Sequence, residues 1–421
     1  MTTTIEILPG VTLRCFPDHR FKQGCLSFSM VRPMCAEEAA LNALIPAVLL
    51  RGTEKHPDLR TITWKLDDLY GASLGTQVRR VGDYQTTGLY CGFLEDRFAL
   101  SGDRILEPML DFLREVLLEP ALENGVFRAD YVESEKKNLI ATIESELNDK
   151  RAYAMGKMLR AMCKADSYGI PRLGDVESVE AITAETAYHH YQKCLRESRI
   201  DIFYVGTAPI ELVARLLMPI FEKLERNYVN LPAQTPFCDA GGEDLTESMD
   251  VAQGKLCMGY VTSFTNRDTE FVAMQVMNTV FGAGMTSKLF MNVREKMSLC
   301  YAIGSGYYGS KGILTVSAGI DFDKEQLTRE EIARQLEAIC QGDVTDEELT
   351  AAKEALLSSL RGTHDAPGSI EGYYATAALS GMKLTPDTYM DAVRAVTREQ
   401  VAAAAKSLRL HTTYFLKGVN P

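Results

Sequence analysis

Histidine is scarce in this 421-residue sequence, with six in all, and no two stand four apart as paired ligands on one helical face would. His19, His56, His364 and His411 are isolated. His189 and His190 are adjacent, so on a helix they project about 100° apart and do not chelate together. They read as the end of a solvated helical face. Cysteine is present at ten positions, 15, 25, 35, 91, 163, 194, 238, 257, 300 and 340, yet no pair is spaced CxxC and none combines with histidine in zinc-finger spacing. Most of these cysteines lie in apolar runs, where they act as small buried hydrophobes rather than as a disulfide framework.

Basic residues are also in deficit, 45 Lys and Arg against 57 Asp and Glu, for a net charge of −12. That balance excludes a nucleic-acid partner, which needs clustered Lys and Arg. No run approaches the roughly 18 apolar residues of a membrane helix. The opening Met-Thr-Thr-Thr-Ile-Glu-Ile-Leu-Pro-Gly has neither the basic nor the apolar region of a secretory signal. A cytoplasmic location with no membrane partner is the expectation. Phosphate-loop and nucleophile-elbow motifs are missing, and Gly282-Ala283-Gly284 is not followed by the phosphate-binding Lys-Ser/Thr. Counting leaves a Ser-His-Asp or Cys-His arrangement open, because such groups meet only in the fold.

What is present is order. Residues 12–15 and 24–31 read as strands, and 36–50 and 59–69 as helices, the first stopped by Arg51-Gly52-Thr53. Residues 73–93 read as two strands turning at Gly82-Asp83. Helices follow at 105–118 and, as one charged helix, at 131–160, before a strand at 198–204 and a helix at 210–224. The Pro-, Gly- and Asp-rich stretch 227–247 reads as a linker. It divides the chain into an N-terminal domain (1–228), a linker (229–248) and a C-terminal domain (249–421). The second half restarts with a strand (255–262), helices (269–281 and 287–296) and a hairpin (301–320). Helices at 324–340, 346–361, 369–380 and 398–407 and a strand at 412–415 complete it. The same order twice is an internal repeat of about 200 residues. Strands followed by runs of helices predict an α+β architecture.

Two segments carry a family resemblance. The run Leu289-Phe290-Met291-Asn292-Val293-Arg294 through Cys300-Tyr301, followed by Lys-Gly-Ile-Leu-Thr-Val-Ser-Ala-Gly at 311–319, is similar to the second-half signature of the pitrilysin/insulysin (insulinase) peptidases. That signature sets an Arg and a Tyr seven residues apart. The resemblance implies that Arg294 and Tyr301 grip a peptide backbone, the guanidinium forking onto carbonyls and the phenol stabilising an oxyanion. The plainer reading is that Arg294 pairs with a nearby acid and Tyr301 buries its ring.

The second segment, Leu50-Arg51-Gly52-Thr53-Glu54-Lys55-His56-Pro57 with Leu66 to Ala72, resembles the stretch after the family's metal-binding helix. Active relatives place His-x-x-Glu-His five residues before that glycine, two histidines holding zinc and the glutamate activating water. Here the positions are Ala43, Pro46 and Ala47. The third ligand, a glutamate seven residues after another, falls on Thr142, with Glu135 as the surviving acid. A shift of two would bring Glu144 there instead, and one carboxylate makes no zinc site. Paired acids such as Asp67-Asp68 and Glu330-Glu331 read as solvated faces.

The resemblance thus implies two homologous sheet-plus-helices domains of the LuxS/mitochondrial-processing-peptidase-like metallohydrolase fold, half of a clamshell. It further implies a non-catalytic subunit with no cofactor of its own. The expected partners are a zinc-bearing homologous subunit of similar length and a peptide substrate, with homodimerisation open to the isolated chain. Two alternatives stand beside this: a peptide-binding or scaffold pseudo-peptidase, and an active zinc peptidase with unrecognised ligands.

Overall fold

The computed structural model describes residues 3–239 and 241–419. Strands β1 (Thr3–Leu8), β2 (Val11–Pro17) and β3 (Gln23–Pro33) open the chain, and helix α1 (Ala36–Leu49) follows. α1 carries Pro46 in its interior, where proline supplies no N–H to the preceding turn. Helix α2 (Leu59–Asp68) starts on a capping box between Asp58 and Thr61. Strands β4 (Ser73–Val81) and β5 (Tyr84–Leu94) form a hairpin whose turn needs Gly82, at φ 58°. Helix α3 (Leu106–Leu118) leads to a short hairpin of β6 (Leu122–Glu123) and β7 (Val126–Phe127).

The single helix expected over 131–160 is two. α4 (Ala129–Asn148) and α5 (Lys150–Met162) part at Asp149, whose carboxylate accepts the N–H groups of Arg151 and Ala152 and so caps a new helix. Capping boxes also start α6 (Val176–Glu180) and α7 (Ala184–Glu197). Strand β8 (Arg199–Gly206) and helix α8 (Ile210–Glu222) end the first half.

Part of the expected linker is itself a strand, β9 (Asp244–Met249), paired in parallel with the last strand of the chain. β10 (Gly254–Val261) and α9 (Phe271–Phe281) come next, then a π-helical segment (Leu289–Lys296). The hairpin β11 (Cys300–Tyr308) and β12 (Ile313–Ile320) precedes α10 (Glu325–Cys340), α11 (Asp346–Gly362) and α12 (Pro367–Ser380). A helix not foreseen, α13 (Pro386–Ala395), stands before α14 (Arg398–Lys406) and β13 (Arg409–Gly418).

The architecture is α+β, and the chain divides into two compact units. Unit 1 comprises Met1–Glu144, Ile170–Ala233 and His364–Thr376; unit 2 comprises Ser145–Gly169, Gln234–Thr363 and Ala377–Pro421. Each half of the sequence therefore lends one segment to the unit built mainly by the other. Unit 1 holds a six-stranded sheet, β1-β2-β8-β3-β5-β4, and unit 2 a five-stranded sheet, β11-β12-β10-β13-β9.

In unit 1 one sheet face packs on α1, α3, α7 and α8 through side chains such as Leu26, Phe28, Leu44, Leu113, Tyr191 and Leu217. The other face receives the segment 364–376, where buried Glu371 accepts from Ser27 Oγ at 2.7 Å and from Arg79 Nη2 at 2.8 Å. In unit 2, α5 packs on the sheet with Ala154, Met158 and Met162 against Cys257 and Tyr414. Gly259 makes that approach feasible, because a Cβ there would lie 2.6 Å from the Met162 sulfur. Among the described residues, no helix is long and apolar enough to cross a membrane.

Candidate functional site

The positions to which the resemblance assigns the lost zinc ligands lie on α1 and α4. Ala43 and Pro46 are buried and Ala47 is half-buried on α1; Thr142 is exposed on α4, its hydroxyl donating to the Asn138 carbonyl at 2.9 Å. Glu135 pairs with Arg51 at 3.3 Å and accepts from Asn138 Nδ2 at 3.1 Å, and Glu144 is exposed. Methyl groups and a pyrrolidine ring offer no lone pair, so Ala43, Pro46 and Ala47 do not fit zinc. Among the described residues, no group of three or more His, Cys, Asp or Glu is gathered to hold a metal.

Beside those positions the fold brings together a Cys-His-Asn set that the sequence left open. Asn42, next to Ala43, accepts through its Oδ1 from His190 Nε2 at 2.8 Å, and His190 lies 3.4 Å from the Cys194 sulfur. Asn42 also donates to Gln85 at 2.8 Å. Burial lowers His190 to about 4 and raises the Cys194 thiol to about 12. A cysteine nucleophile needs the reverse, a thiolate beside an imidazolium. The set is a neutral, buried hydrogen-bond network. His190 is thus not on a solvated face, as its neighbour His189 is; it points inward from α7.

Arg294 and Tyr301 sit where three local irregularities follow each other. Arg294 belongs to the π-helical segment, marked by the wide turn from Met297 N–H to Asn292 O at 3.0 Å. Ser298 then adopts φ 52°, a left-handed conformation rare for a residue with a side chain. In the β11–β12 ladder Cys300 faces Ile320 and Ala302 faces Gly319, which leaves Tyr301 as the extra residue of a bulge. π-turns and bulges both re-aim side chains and recur at functional sites.

The outcome is exposure. The Arg294 side chain is 39% exposed, over the Phe290 ring at 4.5 Å and 3.6 Å from Glu295. Tyr301 is 66% exposed, its hydroxyl donating to Asp321 at a long 3.4 Å. Asp321 is held below the usual carboxylate range by Lys324, and Lys324 in turn reaches the Ser298 carbonyl at 3.4 Å. Burial pushes the Cys300 thiol to about 11, opposed by the nearby Arg294 charge. Among the described residues, no hydrogen bond joins Arg294 to Tyr301. Neither side chain is committed to the core, contrary to the plainer reading of Tyr301 as a buried ring. Exposed Met291 and Met297 flank the pair.

Comparison with known proteins places this geometry in a family. Residues 181–356 match the family model described as "Peptidase M16 inactive domain". The chain is 31% identical over 409 residues to the "Probable inactive metalloprotease YmfF" of Bacillus subtilis (strain 168), covering 97% of this chain and 96% of that one. The chain belongs to the M16 (pitrilysin-like) peptidase family.

Solved structures agree on the M16 fold. A conserved protein from Enterococcus faecalis V583 matches with a TM-score of 0.93 at 27% identity, covering 100% of this chain and 99% of that one. A peptidase M16 inactive domain from Pseudomonas fluorescens matches with a TM-score of 0.82 at 18% identity, covering 99% and 98%. This M16 chain stands with the non-catalytic members, since the matched model describes the family's inactive domain and the curated relative carries the same word in its name.

Proposed function

We propose that this M16 chain is the non-catalytic subunit of a two-chain zinc endopeptidase. In this reading it contributes Arg294, Tyr301 and a peptide-binding wall, while a zinc-bearing homologue of similar length supplies the metal and the base. The observation that carries the reading is a contrast. Ala43, Pro46 and Ala47, where the resemblance expects zinc ligands and a base, offer no side-chain lone pair, whereas the Arg294–Tyr301 segment bends its backbone in three ways to hold a guanidinium and a phenol in solvent. Irregular backbone that buys no burial is what a binding site is expected to keep.

The test is reconstitution. The chain is mixed with candidate zinc-bearing M16 homologues of similar length, and cleavage of a quenched fluorescent peptide is followed. Activity that appears only in a mixture supports the reading, and full activity with Arg294→Ala removes the role given to that residue. A peptide-holding scaffold without cleavage is the second reading; it is favoured by the same lack of metal ligands and distinguished by peptide binding with no active combination.

A further inference from the structure

Unit 2 sets two cations, Arg151 and Lys255, on one face of its sheet. Arg151 stands in the first turn of α5, the helix that packs on that face. Its Nε donates to Ser317 Oγ on β12 at 3.2 Å. Its guanidinium lies over Gly304 of β11, where a Cβ would meet Nη2 at 3.9 Å. Register brings Lys255 of β10 to the same face. Cys257, which packs against α5, stands opposite Ser317, and Lys255, two residues earlier, stands opposite Gly319. Lys255 and Ser317 are thus diagonal neighbours, their Cβ atoms about 7 Å apart.

Neither cation has a counter-ion. Lys255 Nζ donates to Gln253 Oε1, a neutral amide, and among the described residues neither Arg151 nor Lys255 joins an ion pair. This holds in a chain where 57 acids face 45 bases. Burial lowers Lys255 below the usual lysine range; Asp149 opposes the shift and Arg151 adds to it. Asp149 itself is engaged, its Oδ1 accepting the N–H groups of Arg151 and Ala152. Ser317 is buried and accepts from Arg151, while its own proton has no acceptor among the described residues.

We propose that Arg151, Lys255 and Ser317 form a subsite for a carboxylate of the bound peptide, a role that rests on the peptide-binding reading above. A guanidinium, an ammonium and a hydroxyl make the donor set that a carboxylate takes. Charge selects it over a phosphate dianion, since Asp149 beside two cations leaves one net positive charge. Position agrees as well. Ser317 stands opposite Gly304, which is three residues from Tyr301 on β11, or about 10 Å along the strand. A peptide gripped at Tyr301 reaches the cations with a carboxylate a few residues away, from an Asp or Glu side chain or from its C-terminus.

Two measurements on the full chain test this. In the first, lysines are reductively methylated with isotope-labelled formaldehyde, and the Lys255 NMR signal is assigned by its loss in Lys255→Gln. Sodium acetate, exchanged for chloride at constant ionic strength, is expected to shift that signal and to raise the Lys255 pKa. Arg151→Gln weakens the response about fivefold or more. Lys157→Gln, on the same helix with its Nζ over the Tyr153 ring, leaves it intact. A Lys255 signal that ignores acetate, or responds alike in Arg151→Gln, overturns the subsite.

The second measurement follows the anisotropy of three fluorescein-labelled octapeptides of one sequence. One is neutral with an amide end, one has a central Glu, and one has a free C-terminal carboxylate. One of the two acidic peptides is expected to bind about tenfold tighter than the neutral one, which names the source of the carboxylate. Arg151→Gln and Lys255→Gln each narrow that difference. Equal binding of all three peptides overturns the proposal. An acetate response at Lys255 with no peptide bound at all would contradict the peptide-binding reading and leave the carboxylate site standing.

Discussion

The hydroxyl of Thr87 on β5 donates to the carbonyl oxygen of Asn42 on α1. That carbonyl is the one Pro46, four residues on, leaves without a helical N–H partner. Pro46 thus removes one helix hydrogen bond, and the neighbouring strand replaces it. Thr87→Val keeps the shape and deletes the donor, stranding a buried carbonyl at a cost of about 1–3 kcal/mol. Urea unfolding should show a lower midpoint at unchanged slope, with Thr87→Ser close to wild type.

Acid should loosen the same region through His190. Its folded pKa of about 4 lies below its ordinary value of 6.5, so the unfolded chain binds more protons between these two values. Stability therefore falls as pH drops from about 6.5 to 4, by on the order of 3 kcal/mol. Burial is the main cause; Glu38 opposes it and Arg32 and Lys193 assist. Glu38 itself is half-buried, yet hydrogen bonds from Arg32 and Lys193 hold it at about 2, so its stabilisation is lost lower, between its ordinary 4.5 and 2. His190→Gln should flatten the upper window and leave the lower one, as read by denaturation midpoints across pH.

Glu371 is fully buried and joins Ser27 and Arg79 across the first sheet's second face. Glu371→Ala leaves Arg79 without its carboxylate, and the expected destabilisation is about 3–5 kcal/mol, read as a lowered thermal midpoint. Arg79→Met with Glu371→Leu should recover much of it, since removing both charges leaves neither unpaired.

For Arg294 and Tyr301 the expectation is a separation of effects. Both are exposed, so Arg294→Ala and Tyr301→Phe should shift stability by about 0.5 kcal/mol or less. In an active reconstituted mixture each should lower kcat/KM by on the order of 10²-fold, as the loss of one preorganised charge or donor does.

These residues also show how far the sequence could be read. The membership of the M16 family was legible because its motifs have fixed spacing. Most strands and helices were legible from apolar periodicity and from glycine stops such as Gly52 and Gly82. The break at Asp149 was missed because helical periodicity runs through it, although Asp149 is a good N-cap. β9 hid in the linker because its residues alternate half-buried with exposed polar ones, as in Asp244-Leu245-Thr246. The π-turn, the left-handed Ser298 and the Tyr301 bulge arise from slipped hydrogen bonds, which residue types do not announce. The meeting of Asn42 with His190 and Cys194 depends on helices far apart in sequence, and no local pattern contains it.

The most direct measurement is zinc content together with peptide cleavage, on the purified chain and then mixed with candidate zinc-bearing M16 homologues of similar length. The account predicts no bound zinc and no cleavage by the chain alone, with chelator-sensitive cleavage appearing on mixing. Stoichiometric zinc and chelator-sensitive cleavage by the chain alone would contradict it.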